Sequence, residues 1–337
     1  MLKRKILHNA NIIMAIVISG NSTAYLVLLY RLISLVLKPL DLILSFLDRR
    51  FFLKNNQSPP IVFVVGSHRS GATFVSQVIS RSFPFYSVGN FNSLFPRSRH
   101  FIHRFIKQKK HNCRSNRYKN YYGQSPGLFE IGDAHEVWDQ WYGSDHDSIP
   151  AGLTSNIKKD MLDYFTKLYS AVGSTIITKS GRNSLNIVQL SNIFENCFFI
   201  VVDRKINDVV LSTLKANKVF RSNEKGWGLH VNNLTNNNLS HIDATVNQCI
   251  NVRNKIYSQL NLIDKNKYIV IDYNSFCDST SSQLELIKRA IEDIHKEEYL
   301  IKECINPKFS ASQNMSDKKL IEAVQHTVQK FSYMIDE

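Results

Sequence analysis

The sequence predicts an α/β protein of three layers, in which helices cover both faces of a central parallel sheet. Short apolar runs alternate along the chain with segments of helical periodicity, which is the order typical of a parallel sheet. The runs of strand length are 61–65, 175–178, 198–203 and 268–271. Because these runs are apolar almost throughout, and not at every second residue, we expect strands that are buried on both faces.

Helical periodicity fills most of the intervals between those runs. The predicted helices are 74–82, 161–171, 184–194, 208–216, 281–295 and 317–335. Residues 83–126 are basic, aromatic and polar and show no clear element, so we interpret them as a basic insertion or lid. A hydrophobic content of 43% supports a real core, and we expect one domain over residues 56–337.

Residues 1–55 are predicted to form a separate, membrane-associating helical segment. Its apolar runs are 12–19 and 24–37. At 100° per residue, Arg31, Lys38 and Asp41 fall within an arc of about 80°, and the remaining surface is apolar. Pro39 is expected to start a second helix. The pattern favours a pair of amphipathic helices on a membrane surface, and the alternatives are a helix that spans the bilayer or one that packs on the protein's own core.

The positive charge of the chain belongs to one segment. The sequence has 42 Lys and Arg against 28 Asp and Glu, a formal net charge of +14. Residues 49–129 contain 14 of the basic residues and no acid, so the other 28 basic residues balance the 28 acids. A localised field of this kind attracts an anion and argues against a uniformly basic, ribosomal type of scaffold.

The cysteines argue against a structural zinc site and against a dense disulfide framework. They are Cys113, Cys197, Cys249, Cys277 and Cys304. They lie far apart in the sequence and form no C-x-x-C pair. We therefore expect a protein without a bound metal, in a reducing compartment.

The first motif is GSHRSGAT at residues 66–73, which follows a predicted strand and opens a predicted helix. Gly66 and Gly71 have the spacing of the phosphate loop G-x-x-x-x-G-K-[ST], with Ala72 where the Lys stands. The candidate ligands of a phosphate are Arg69, Ser70, Gly71, Ala72 and Thr73. Their backbone N–H groups at a helix N-terminus form an anion cradle, and Arg69 supplies the positive charge. Because the missing Lys normally stabilises phosphoryl transfer, the motif favours phosphate binding over that reaction.

The second motif is RKINDVVLS at residues 204–212, directly after a predicted strand. Ligands of open α/β sheets lie beyond the carboxyl ends of the strands, so Arg204 and Ser212 are candidates for a second phosphate site. An alternative is that FIVVD, ending at Asp203, is a Walker-B-like strand that holds Mg²⁺. The protein would then be a P-loop nucleotide kinase or NTPase, which the missing Lys argues against.

Together, the two motifs resemble those of P-loop sulfotransferases that use 3′-phosphoadenylyl sulfate (PAPS), namely G-x-x-R-S-G-T-T and R-D-P-R-D-V-x-x-S. The similarity is closer to the bacterial, tyrosylprotein and carbohydrate types than to the cytosolic type. It implies a P-loop NTPase-like sulfotransferase fold, PAPS as donor, its 3′,5′-bisphosphate PAP as product, and no metal. It places residues 69–73 on the 5′-phosphate, and Arg204 and Ser212 on the 3′-phosphate. Ala72 departs from the usual Thr, and residues 205–207 depart from D-P-R.

Two further segments extend the resemblance to about residues 60–300. Residues 179–204 resemble the stretch of this family that begins with a Lys and ends at the phosphate-binding Arg. Residues 268–276 resemble its late strand and turn, with Tyr273 in the place of the family's Tyr. The resemblance implies that Lys179 assists the leaving group, and Arg182 is a neighbour that could share this role.

A sulfuryl transfer also needs a base for the acceptor hydroxyl, and the acidic stretch 127–143 is the candidate source. Related enzymes use a Glu after the phosphate loop, so Glu130 is the first choice. Asp133 and His135 are the alternatives. The aromatic residues Trp138, Trp141, Tyr142 and Trp227 are interpreted either as lining an acceptor pocket or as core.

The acceptor expected from these features is a hydroxyl of a glycan, lipid or protein, with a glycan, lipid or lipid-linked saccharide favoured. The favoured location is the cytoplasmic face of a bacterial membrane. The alternative is a lumenal Golgi-type enzyme, in which Asn233 and Asn238 would be glycosylation candidates. A rival without catalysis is a nucleic-acid-binding protein that uses the basic, aromatic residues 97–122. The favoured interpretation has no nucleic-acid partner.

Overall fold

The computed structural model describes residues 14, 16–51, 58–105, 118–147, 152–220, 227–231, 239–302 and 317–331. Its strands are β1 (Ile61–Gly66), β2 (Tyr86–Ser87), β3 (Ile176–Lys179), β4 (Cys197–Asp203) and β5 (Tyr268–Asp272). They form one parallel sheet in the order β2-β3-β1-β4-β5. The predicted parallel α/β class is confirmed.

The helices connect and cover these strands. They are α1 (Ser22–Phe51), α2 (Ala72–Ser82), α3 (Asn90–Leu94), α4 (Phe101–Phe105), α5 (His135–Tyr142), α6 (Ser155–Val172), α7 (Ile187–Ile193), α8 (Ile206–Val219), α9 (His241–Leu260), α10 (Tyr273–Asp278), α11 (Thr280–His295) and α12 (Lys318–Lys330). Two short 3₁₀ helices, Gly181–Leu185 and Lys265–Lys267, complete the described elements.

The sheet lies between two hydrophobic layers, and successive residues of each central strand alternate between them. Phe63 and Phe199 face the layer that includes α5, α6, α7 and α9, and their rings stack 5.2 Å apart. Val64 and Ile200 face the other layer, with α2 and α11. The predicted three-layer architecture is therefore confirmed, and it explains why β1 and β4 are apolar at every position.

Besides the 3₁₀ helices, six elements were not predicted from the sequence: strand β2 and helices α3, α4, α5, α9 and α10. The strand β2 and the helices α3 and α4 lie within residues 83–126, where no element was expected. These three are too short to produce a periodic pattern, and they form because their surroundings bury them. Helix α9 is long, but its inward face includes the buried polar residues Thr245 and Gln259, which dilute the apolar period.

Residues 22–51 form one continuous helix, α1, where a pair was expected. Pro39 lies inside α1, so the prediction that it starts a second helix is wrong. No helix in the described part of the chain combines the length and the apolar content needed to cross a bilayer. The inward face of α1 packs on Phe91, Leu94 and Phe95 of the domain. The domain boundary near residue 55 falls in 52–57, outside the described residues, and stays a prediction.

Two acids on the inward face of α1 organise the loop before α4. Asp41 is 1% exposed and accepts hydrogen bonds from the backbone N–H of Arg97 and Ser98. Asp48 is fully buried and accepts from the N–H groups of His100, at 3.0 Å, and Phe101, at 2.8 Å. Each carboxylate thus satisfies several backbone donors that would otherwise be buried without partners.

We expect the fold to lose stability as the pH falls below 6.5, because burial lowers the pKa of His103 and of His295 to about 4. The unfolded chain then binds protons that the folded chain excludes, so stability is lost as pH falls from 6.5 toward 4. Each such histidine contributes about 2 kcal/mol to the loss between pH 7 and pH 5. Denaturant unfolding of His103→Asn at both pH values should show a smaller loss than wild type. The same change at exposed His241 should leave the loss unchanged, and equal losses in all three proteins would contradict the assignment.

Candidate active site

The two phosphate motifs meet at the carboxyl edge of the sheet. β1 and β4 are adjacent and parallel, and Gly66 is paired with Val202 in the register. A Cβ at Gly66 would lie 2.6 Å from the carbonyl oxygen of Val202, so only glycine allows the loop to leave β1 here. Beyond the strands, Arg69 Nε donates to Ser212 Oγ at 3.0 Å. Residues 143 positions apart therefore form one site.

The loop after β1 has the conformation of an anion cradle. Arg69 and Gly71 have positive φ angles of 64° and 97°, and α2 begins immediately afterwards at Ala72. Ser70 is fully buried, and its Oγ has no hydrogen-bond partner among the described residues. An unpartnered buried hydroxyl beside a helix N-terminus, with Thr73 in the first turn, fits a bound phosphate oxygen.

Two guanidinium groups, one in this loop and one directly after β4, have few carboxylates near them among the described residues. Burial lowers the pKa of Arg69, and the nearby positive charge of Arg204 lowers it further. Arg204 has only a long contact to a carboxylate, with Nε 3.5 Å from Asp208 Oδ2. Its guanidinium lies 4.8 Å from the ring centre of Tyr273, which also packs against Gly71. The excess of positive charge is the electrostatic signature of an anion site.

The predicted cation Lys179 pairs with Asp133, one of the alternatives to Glu130. Lys179 Nζ lies 2.8 Å from Asp133 Oδ1, and the two side chains are only 9% and 12% exposed. A Cβ on Gly123 would lie 3.6 Å from Lys179 Nζ, from Asp133 Oδ2 and from Thr73 Oγ1. The ion pair and the phosphate loop thus surround the same small space.

A tight turn that the sequence analysis missed enters that space. Tyr121 and Gln124 exchange two backbone hydrogen bonds, at 2.8 and 3.0 Å, around Tyr122 and Gly123, whose φ angles are 47° and 95°. Positive φ at both central residues identifies a two-residue hairpin of type I′. Gln124 Nε2 lies 3.4 Å from Asp133 Oδ2. The only local signal was Gly in YYGQ, within a segment that shows no periodicity.

Aromatic side chains surround Arg69 on the side of this turn. Its guanidinium lies 5.1 Å from the ring centre of Tyr122 and 6.0 Å from that of Trp227. Trp227 stacks on Phe220 at 5.7 Å. This cluster lies beside the candidate phosphate loop, whereas the other aromatic candidates, Trp138, Trp141 and Tyr142, belong to the core.

The structure separates Glu130 from the Lys179 pair. Glu130 Oε1 lies 2.7 Å from Arg81 Nη2, near the end of α2, and Oε2 accepts from the backbone N–H of Gly127 at 3.2 Å. The exposed fractions are 7% for the Arg81 side chain and 15% for that of Glu130. The carboxylate therefore anchors the segment that precedes α5, and the geometry favours Asp133 for chemistry at Lys179.

Arg182, the neighbour suggested to share the role of Lys179, makes buried contacts with α5 and the loop after it. It is 1% exposed, and it bonds Asp139 Oδ1 and the carbonyl of Gly143, both at 2.6 Å. It thereby fixes α5. At the start of α5, His135 stacks on His146 with ring centres 4.2 Å apart. Burial, together with the charge of His146, holds the pKa of His135 well below its usual value, so this imidazole is neutral.

The Walker-B-like alternative assigned Mg²⁺ to Asp203, but this carboxylate is engaged by neighbouring side chains. Asp203 Oδ2 accepts from Arg253 Nη2 and from the hydroxyl of Tyr257, both at 2.9 Å.

The basic stretch proposed to bind nucleic acid contains at least one arginine with a structural role, since Arg99 is buried and pairs with Asp160 at 2.6 Å. Residues 106–117 of that stretch lie outside the described residues.

Comparisons with known proteins find one matching family and similar solved folds. The model of the Sulfotransferase family matches residues 60–292. The crystal structure of sulfotransferase STF9 from Mycobacterium avium matches with a TM-score of 0.52 at 11% identity, over 87% of this chain and 81% of that one. Sulfotransferase STF1 from Mycobacterium tuberculosis H37Rv matches with a TM-score of 0.48 at 12% identity, over 90% and 82%. Curated protein sequences give no significant match.

Replacing Glu130 with Gln should reduce the free energy of unfolding by about 2 kcal/mol, because the charge-assisted bond to Arg81 is weakened in a buried setting. Chemical denaturation followed by circular dichroism measures this. Glu285→Gln, at an exposed position of α11, is the matched control and should change stability little. A neutral effect of Glu130→Gln would show that this carboxylate does not anchor the segment.

Proposed function

The chain belongs to the sulfotransferase family, and on that premise we propose that it moves a sulfuryl group from PAPS to a hydroxyl group. The hydrogen bond from Arg69 to Ser212 carries the proposal, because it joins the motif for a 5′-phosphate to the motif for a 3′-phosphate. A nucleotide with a phosphate at each end of its ribose fits a site with two such motifs side by side. The ATP-dependent alternative needs only one of them.

The geometry of the phosphate loop supports the proposed roles of the donor ligands. The 5′-phosphate would be held by residues Arg69, Ser70, Gly71, Ala72 and Thr73, through backbone N–H groups, the free Ser70 hydroxyl and the Arg69 guanidinium. Arg204 and Ser212 would hold the 3′-phosphate. Ala72 lacks the usual hydroxyl, but it contributes a backbone N–H at the start of α2 as any residue does. The chemistry is expected to need no metal.

PAPS would supply an activated sulfuryl group joined to the 5′-phosphate through a bridging oxygen. Lys179 would donate a hydrogen bond to that oxygen as the sulfur–oxygen bond breaks and negative charge develops there. Asp133, which lies 2.8 Å from Lys179, would accept the proton of the acceptor hydroxyl as its oxygen bonds to sulfur. Gln124 would orient the Asp133 carboxylate. Asp133 thus replaces Glu130 as the proposed base, and His135 is the alternative.

The acceptor class and the location complete the proposal. The favoured acceptors are a glycan, a lipid or a lipid-linked saccharide, at a membrane surface on the cytoplasmic side of a bacterium. The support for this part is the charge of the chain and the sequence of its N-terminal segment. The aromatic cluster of Tyr122, Phe220 and Trp227 offers apolar ring faces beside the donor site, which suit a sugar or a nucleobase.

Titration calorimetry with PAP and with adenosine 5′-phosphate separates the two phosphate subsites. Arg204→Ala should weaken PAP binding about tenfold to a hundredfold, as expected for the loss of charge-assisted hydrogen bonds, and should leave binding of the monophosphate nearly unchanged. Arg69→Ala should weaken both. Arg289→Ala, at an exposed position of α11, is the charge-matched control. An unchanged preference for PAP in Arg204→Ala would reject the 3′-phosphate assignment.

Asp133→Asn should slow sulfuryl transfer by about 10²- to 10⁴-fold, because the base is lost while the shape is kept. Water is used as acceptor, so the release of PAP from PAPS is measured without knowledge of the natural acceptor. PAP affinity should remain within a few-fold of wild type. Glu130→Gln, measured at a temperature at which it is folded, should retain most of the rate. If Glu130→Gln is slower than Asp133→Asn, Glu130 is the base, as the sequence predicted.

A further inference from the structure

The outward face of α1 is an exposed apolar ridge. Its members are Leu26, Leu29, Leu32, Leu35, Val36, Leu40, Leu42, Ile43 and Phe46. Val36 is 79% exposed, Leu35 67% and Phe46 66%, values that are unusual for large apolar side chains that recur along one face of a helix. Single exposed apolar residues are ordinary, but a contiguous patch of this length indicates an interaction surface.

Both acids of the same helix point the other way. Asp41 and Asp48 are buried against the domain, where they bind the backbone of the loop before α4. Thr23 and Ser45 are also on the buried face. The orientation of α1 is therefore fixed by bonds that require these acids inside. The exposure of the ridge follows from a specific attachment, and the helix cannot rotate to bury it without breaking those bonds.

The charges left on the outside of α1 are all basic. They are Arg31, Lys38, Arg49 and Arg50, and each is exposed. Arg31, Lys38 and Arg49 are spaced by seven and eleven residues, which places them along one edge of the ridge at 100° per residue. Both acids of the helix are withdrawn into the interior, so the outer surface combines an apolar stripe with a positive border.

We propose that this outer face of α1 docks on an anionic phospholipid bilayer, with the helix lying in the interface. The apolar stripe enters the acyl boundary, and the basic edge contacts the headgroups, as in interfacial helices with a charged border. A second copy of the chain is a poorer occupant, because pairing the ridge with itself would bring the same basic border close to its counterpart. This inference rests on the membrane location given in the proposed function and deepens it by naming the docking face, and it is independent of the proposed donor chemistry.

Docking by this face would also locate the candidate active site relative to lipid. The hydroxyl of Tyr30, on the inward side of α1, donates to the carbonyl of Pro126 at 3.0 Å. Pro126 follows the Tyr121–Gln124 turn by two residues, and that turn contacts the Lys179–Asp133 pair. A helix held in the bilayer surface therefore places the turn near the headgroups, where a lipid-attached hydroxyl would be found.

Co-sedimentation of the full chain with vesicles tests the proposal. The probes are vesicles of phosphatidylcholine alone and of phosphatidylcholine with phosphatidylglycerol. Wild type should bind the anionic vesicles, and Val36→Glu combined with Phe46→Glu should need at least tenfold more lipid for half-maximal binding. Both side chains point outward, so the fold should persist, which circular dichroism verifies. Leu262→Glu with Leu300→Glu is the matched control, since these residues are 73% and 83% exposed away from α1, and it should bind as wild type.

A charge variant provides the second arm. Arg31→Gln with Arg49→Gln should weaken binding to anionic vesicles several-fold, whereas Arg289→Gln should not. Binding that is equal for both vesicle types in wild type, or equal for the ridge variant and its control, would overturn the proposal. Light scattering tests the other occupant, a second copy of the chain. If wild type is a dimer that does not bind vesicles, and the ridge variant is a monomer, the ridge is a dimer interface. The vesicle assay contains no nucleotide, so its outcome is separate from that of the donor site.

Discussion

The parallel pairing of β1 with β4 is the constraint on which the site depends. Gly66 lies opposite Val202 in that pairing, with too little space for a Cβ. The loops that leave the two strands therefore start side by side, and Arg69 reaches Ser212. A larger residue at Gly66 would separate the strands where they end, so the contact that pairs the two central strands also brings the two candidate phosphate motifs together.

Buried charge gives the site its chemistry as well as a cost. Lys179 and Asp133 compensate each other at 2.8 Å in a largely buried position, where removing either partner would leave an unpaired buried charge at a high cost in stability. Among the described residues, Arg69 and Arg204 have no comparable compensation, since their one ion-pair contact is the long one from Arg204 to Asp208. Their repulsion makes an anionic ligand a stabilising component of the folded protein. The ion pair is therefore electrically neutral without a ligand, whereas the two arginines gain stability when an anion binds between them.

Acids are used differently in the N-terminal helix. Asp41 and Asp48 act as structural ligands of backbone N–H groups, so the charge that composition alone assigns to the surface is inside. The surface excess of basic residues in this region is therefore larger than the acid-free interval of residues 49–129 suggests, because Asp41 and Asp48, close to that interval, are buried. The remaining exposed charges of α1 are basic, and its exposed side chains are otherwise mainly apolar.

The sequence by itself determined the four longer strands of the sheet, and it identified the two candidate phosphate motifs and Lys179 as a candidate cation. Each of these depends on residues that are close in the chain: an apolar run, glycine spacing, or a charged residue at the end of a strand. The sequence did not determine which acid meets Lys179. Glu130 and Asp133 are three residues apart in an acidic stretch, yet one pairs with Arg81 and the other with Lys179, 49 and 46 positions away. Only the tertiary structure decides such pairs, as it decides the Tyr121–Gln124 turn and the face of α1 that is exposed. Their physical cause is desolvation against distant neighbours, which leaves no periodic trace in the local sequence.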